Sequence, residues 1–243
     1  MKALKRALLS FVSILILAMA FYYSGPTAAA PTYNLSLPKV NTPFQAINDS
    51  LLQFDTHLKA EPCAISTVDW YDSVGRTEYV LLYLHGFSAT QHEGDSVRFW
   101  IADSLQANAY YPRIAGHGLD EEDSVRYATY TASAAWEKAK KDFALATTLG
   151  KKVIIMSCST GTPLALKLAA TFPEKVYALV NYSPNIRLND PFAALVNDPW
   201  GLELLKWTSN QDFRDLSPRE DGIVEDCKHR SYCWESVIQM QWL

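Results

Sequence analysis

Ser159 has the setting that most invites chemistry: it is the centre of Ser157-Cys158-Ser159-Thr160-Gly161, a run of small residues directly after the apolar stretch Val153-Ile154-Ile155-Met156. Four apolar residues without polar alternation are too few for a helix, and they predict a parallel strand covered on both faces. Thr162 to Phe172 has helical composition, with Pro163 in the first turn, where a missing N–H costs little. A strand, a tight turn with serine at its apex and a helix form the layout of a nucleophile elbow, usually G-x-S-x-G. The flanking positions must be small because the strand and helix backbones pass close together there. Gly161 meets that demand, and Ser157 stands where the first glycine is usual.

The second chemical feature is His85-Gly86-Phe87-Ser88, which follows the apolar run Tyr79 to Leu84. In an open α/β sheet, ligands bind outside the carboxyl ends of the strands, so a glycine turn there can bring backbone N–H groups into the site. A tetrahedral oxyanion requires such donors. His85 itself is read as a helper that orders the turn. Cys227, His229 and Cys233 come nearest to a metal-ligand spacing, but they lack a fourth ligand nearby, so no metal and no cofactor are expected.

The elements that must position these groups alternate along the chain. Phe44, Ile47, Leu51 and Phe54 recur at helical spacing over Phe44 to Leu58. A strand is predicted over Ile65 to Tyr71, a central strand over Tyr79 to Leu84, and a helix over Gly94 to Ala107 with Val97, Trp100, Ile101 and Leu105 on one face. There follow a short strand at Ala109 to Tyr111, a glycine-rich loop Pro112 to Gly118, and a helix over Tyr130 to Leu149 capped by Gly150. The elbow strand comes next, then a strand at Val176 to Tyr182. This alternation predicts an α/β fold with a mostly parallel sheet and helices on both faces.

Before that body lies an export segment. Lys2, Lys5 and Arg6 precede an apolar run from Ala7 to Tyr23, and Thr27 to Ala30 offers small residues for cleavage. A signal peptide is the first reading of residues 1–30 and an N-terminal membrane anchor the second, so the protein is expected to be periplasmic, secreted or anchored. Without this segment, 19 basic residues face 26 acidic ones, a net charge of −7, which speaks against nucleic acid as a partner. In an oxidising compartment, Cys227 and Cys233 are the first choice for a disulfide and Cys158 reads as a buried thiol.

Taken together, His85-Gly86-Phe87, Arg113-Ile-Ala-Gly-His-Gly118, Ser157-Cys-Ser-Thr-Gly161 and Asn181-Tyr-Ser-Pro184 resemble the α/β-hydrolase family, in its branch of monoacylglycerol lipases, carboxylesterases and serine aminopeptidases. The resemblance covers roughly residues 64–185 and implies that core, preceded by an N-terminal arm at 31–63 and followed by a helical cap at 186–243. It implies Ser159 as nucleophile and the backbone N–H groups of Thr160 and Phe87 as the oxyanion hole. The expected partner is a small-molecule acyl substrate, cleaved through an acyl-serine intermediate. The family's acid and histidine follow later strands that cannot be found before Leu243, so they are expected beyond it, and residues 32–243 alone are expected to be nearly inactive. Two alternatives stay open: a serine aminopeptidase, for which Glu220, Asp221, Glu225 and Asp226 could hold an amino group, and a noncatalytic binding protein of the same fold.

Overall fold

Along the two central strands, Thr77–Leu84 (β2) and Gly150–Cys158 (β4), successive side chains enter two different cores. Leu82, Leu84, Val153 and Ile155 join Trp136, Phe143 and Leu168 on one face, while Leu81, Tyr83, Ile154 and Met156 join Ala109 and Tyr111 on the other. Burial on both faces is why these strands carry unbroken apolar runs. The structure, a computed structural model, describes residues 2–28, 30–122, 125–186, 193–211, 213–215 and 231–243.

The five-stranded sheet has the order β1-β3-β2-β4-β5, where β1 is Thr67–Asp69, β3 is Asn108–Tyr111 and β5 is Val176–Tyr182. β1 runs antiparallel to β3 at one edge and the other pairings are parallel. Val97–Ser104 (α3) covers one face; Ala132–Leu149 (α4) and Gly161–Thr171 (α5) cover the other. Thr131 caps α4, its Oγ1 accepting from the Ala134 N–H at 3.0 Å. The predicted α/β architecture is present.

Outside the sheet lie an exposed apolar helix, Lys2–Tyr23 (α1), and the arm helix Ile47–His57 (α2), entered through a 3₁₀ turn at Phe44–Ala46. By length and composition α1 is long enough to cross a membrane. After β5 come Gly201–Ser209 (α6), the short antiparallel pair Phe213–Asp215 (β6) and Ser231–Cys233 (β7), and Trp234–Met240 (α7). The segment after residue 186 is therefore not purely helical, as had been expected of a cap.

Several local expectations are corrected. On α3 the buried residues are Arg98 and Ala102, whereas Val97 and Trp100 face solvent, Trp100 being 69% exposed. Arg98 displaces the predicted stripe because its guanidinium stacks on the Tyr111 ring at 3.9 Å and pairs with Asp95. Gly150 does end α4, but in an extended conformation with φ −143°; it is needed because a Cβ there would lie 2.6 Å from the Val80 nitrogen. The helix Gly201–Ser209 is entered through Trp200, its N-cap, which stands in the left-handed region at φ 67°. The Cys227–Cys233 disulfide is excluded, since Cys233 is a buried thiol and Cys63 is disulfide-bonded. Cys158 is a buried thiol, as expected. Cys227, His229 and the acidic residues 220–226 lie outside the described residues.

Candidate active site

Register delivers the site. β2 and β4 pair in parallel up to Leu84 opposite Ser157, so the chain leaving β2 at His85-Gly86 runs beside Cys158 and Ser159. The approach is close enough that a Cβ on Gly86 would lie 3.1 Å from the Ser159 Cβ. Ser159 sits in the left-handed region with φ 48°, a conformation that costs an L-residue roughly 1–2 kcal/mol. The turn is held by its backbone: the Ser159 N–H donates to the Tyr182 carbonyl at 3.3 Å, and the Ser159 carbonyl accepts from Thr162 at 3.0 Å and Asn185 at 3.2 Å. A strained serine between strand and helix is the geometry of a nucleophile elbow.

The two flanking positions behave differently. A Cβ on Gly161 would lie 2.2 Å from the Leu84 carbonyl oxygen and 2.7 Å from that of His85. Backbone atoms cannot give way cheaply, so Gly161→Ala is expected to cost about 3 kcal/mol or more, read as a lower denaturant midpoint. Ser157 is fully buried and tolerated because its hydroxyl donates to Asn181 Oδ1 at 2.7 Å and lies 3.0 Å from Thr162 Oγ1. A polar group in this position is stable only with such partners.

Of the expected oxyanion donors, Thr160 follows Ser159 in the elbow, and Phe87 follows Gly86, the residue that closes on Ser159, in the loop after β2. Neither amide donates to an acceptor among the described residues. The Phe87 ring anchors its loop, lying 5.2 Å from His117, 4.9 Å from Tyr127, 5.5 Å from Tyr130 and 5.2 Å from Tyr232 between ring centroids. Such an aromatic cluster fixes the backbone that carries the N–H.

His85 is fully buried and spends both ring nitrogens on structure. Nε2 accepts from the Ile114 N–H at 3.1 Å, which leaves the proton on Nδ1 to be donated to the Gly86 carbonyl at 2.8 Å. It therefore orders the turn and cannot also take a proton from Ser159. Burial lowers its pKa to about 4. Because the folded state holds His85 neutral while the unfolded chain protonates near 6.5, this contribution is full above about pH 6.5 and is lost as pH falls towards 4. His85→Gln is expected to flatten the loss of stability between pH 7 and 4.5, measured by denaturation at the two values.

The Gly-His-Gly loop is held by a group that sequence reasoning missed. Asp55 on α2 is fully buried; its Oδ1 accepts from Arg113 Nε at 3.0 Å and Nη2 at 2.8 Å, and its Oδ2 from the Ser66 N–H at 2.8 Å. Arg113 in turn donates from Nη1 to the His117 carbonyl at 2.9 Å. His117 lies in the aromatic cluster with Nδ1 3.1 Å from the Ala115 carbonyl oxygen. Among the described residues, no side chain hydrogen-bonds the Ser159 hydroxyl.

No family model matches the chain, and no curated protein matches it in sequence. Solved structures do. One belongs to the metagenome-derived lipolytic enzymes LipS and LipT, with a TM-score of 0.58 at 19% identity, covering 74% of this chain and 68% of the other. A monoacylglycerol lipase of Paleococcus ferrophilus matches at 0.49 and 14% identity over 72% of this chain and 67% of its own. The potato epoxide hydrolase I matches at 0.37 and 21% identity over 57% and 41%. The first of these shares the fold of this chain.

Proposed function

For a chain with the α/β-hydrolase fold, we propose the chemistry of a serine hydrolase that cleaves carboxylic esters or related acyl substrates through a covalent acyl-serine intermediate. The observation that carries this reading is the left-handed Ser159 in close approach to Gly86, with the amides of Thr160 and Phe87 unengaged among the described residues. The Ser159 hydroxyl attacks the substrate carbonyl carbon, its proton passes to a base, and the carbonyl oxygen becomes an oxyanion facing the two amides. Collapse breaks the bond to the leaving alcohol, which takes the proton, and water then releases the acid from Ser159. The resemblance implies a histidine backed by a carboxylate as the base.

An apolar acyl or aryl group fits the tryptophan-rich segment after β5, where Trp207 and Leu204 lie exposed on α6. Export fits the same reading, with α1 as signal or anchor. The test is turnover by the full-length protein of p-nitrophenyl butyrate against an aminoacyl p-nitroanilide. Ester hydrolysis lost in Ser159→Ala supports the proposal; hydrolysis of the anilide alone would favour an aminopeptidase. A well-folded protein that turns over neither would point to a binding role.

A further inference from the structure

We infer that Glu93 is a positioning residue of the oxyanion loop: by accepting the Gly86 N–H it fixes the direction in which the neighbouring Phe87 N–H is offered to substrate. This rests on the serine-hydrolase reading above. Glu93 lies in a 3₁₀ turn, Gln91–Gly94, and its Oε2 accepts from the Gly86 N–H at 2.7 Å, the length of a charge-assisted bond. A Cβ on Gly86 would lie 3.0 and 3.1 Å from the two Glu93 oxygens and 3.1 Å from the Ser159 Cβ, so Gly86 is in close approach to both the carboxylate and Ser159.

Two consecutive peptide units are thereby pinned. Glu93 holds the Gly86 N–H, while the Gly86 carbonyl oxygen accepts from His85 Nδ1–H at 2.8 Å and from the Ala89 N–H at 3.4 Å. In a trans peptide the C=O and the following N–H point in opposite directions. The grip of His85 on the Gly86 oxygen therefore aims the Phe87 N–H the other way. Glycine has the widest backbone freedom of any residue, so bonds to its carbonyl alone leave Gly86 free to rotate about its own bonds, and a further bond to its N–H removes that freedom.

Glu93 is itself tied to the elbow. The Tyr83 hydroxyl lies 3.3 Å from Glu93 Oε2 and 2.6 Å from the Tyr182 hydroxyl, and the Tyr83 and Tyr182 rings are parallel. Burial, reinforced by the Glu93 charge, raises the Tyr83 pKa, so its phenol stays a donor. Tyr182 also accepts the Ser159 N–H through its carbonyl. Carboxylate, oxyanion loop and nucleophile are thus referred to one another by hydrogen bonds. What the loop needs from Glu93 is an acceptor, since a negative charge beside an oxyanion hole opposes the oxyanion.

The test compares wild type, Glu93→Ala, Glu93→Gln and Glu93→Asp in the full-length protein by two readouts. One is amide hydrogen exchange of the Gly86–Phe87 segment; the other is the rate at which a fluorophosphonate labels Ser159. In Glu93→Ala, exchange is expected to quicken and labelling to slow, each by about tenfold or more, while Glu93→Gln, which keeps an accepting oxygen, stays within about threefold of wild type. Glu93→Asp, with its acceptor drawn back, falls between them and serves if the alanine variant does not fold. Unchanged exchange in the Ala and Asp variants overturns the inference, as does quickened exchange with unchanged labelling. So does Glu93→Gln behaving like Glu93→Ala. A wild type that does not label strikes the hydrolase reading itself, and the exchange comparison still decides whether Glu93 fixes the loop.

Discussion

Replacing Ser159 by alanine is expected to lower ester turnover by about a millionfold, the scale of losing the nucleophile in a serine hydrolase. The fold should be undisturbed, because the Ser159 side chain makes no hydrogen bond among the described residues and its backbone bonds to Tyr182, Thr162 and Asn185 remain. Ser159→Gly sharpens the prediction. At φ 48° glycine escapes the left-handed penalty, so this variant should be equally inactive yet more stable, by about 1 kcal/mol. A variant that gains stability while losing all turnover would show strain held in the native serine for function. The two quantities are read from initial rates and from denaturant midpoints of the same preparations.

The second large effect lies away from the nucleophile. Asp55→Ala leaves Arg113, whose side chain is 2% exposed, as a buried and uncompensated cation, and is expected to cost about 3–5 kcal/mol. The damage should reach the site, because Asp55 holds Arg113, the Ile114 N–H donates to His85 Nε2, and His85 Nδ1–H donates to the Gly86 carbonyl. Pairing Asp55→Leu with Arg113→Met should recover much of the stability, since no buried charge is then left alone. Equilibrium denaturation of the single and double variants checks both statements.

Where a residue's role follows from local pattern, the sequence was legible. The apolar runs of β2 and β4 are unbroken because both faces are buried, and Gly161 must be small because two backbones meet there. Asp55 carried a signal that went unread: Ile47, Leu51 and Asp55 fall at i, i+4 and i+8 of α2, which places a carboxylate on the buried stripe, whereas Phe54, counted on that stripe, is 48% exposed. Arg98 misled in the same manner on α3, because stacking on Tyr111 makes a buried guanidinium favourable. Glu93 had no local signature. It reaches Gly86 through the fold of a loop, and neither periodicity nor spacing reports such a contact. The cysteines show the same limit, since nearness in sequence favoured Cys227 with Cys233, whereas Cys233 is a buried thiol in the short β6–β7 pair and Cys63 is disulfide-bonded.

The central claim is that Ser159 is a nucleophile served by the Phe87 and Thr160 amides. Its most direct test is to treat the folded full-length protein with a fluorophosphonate and locate the adduct by peptide mass spectrometry. The account predicts one adduct per chain, on Ser159, absent from Ser159→Ala. An unlabelled Ser159 in folded protein, or an adduct on another residue, would contradict it.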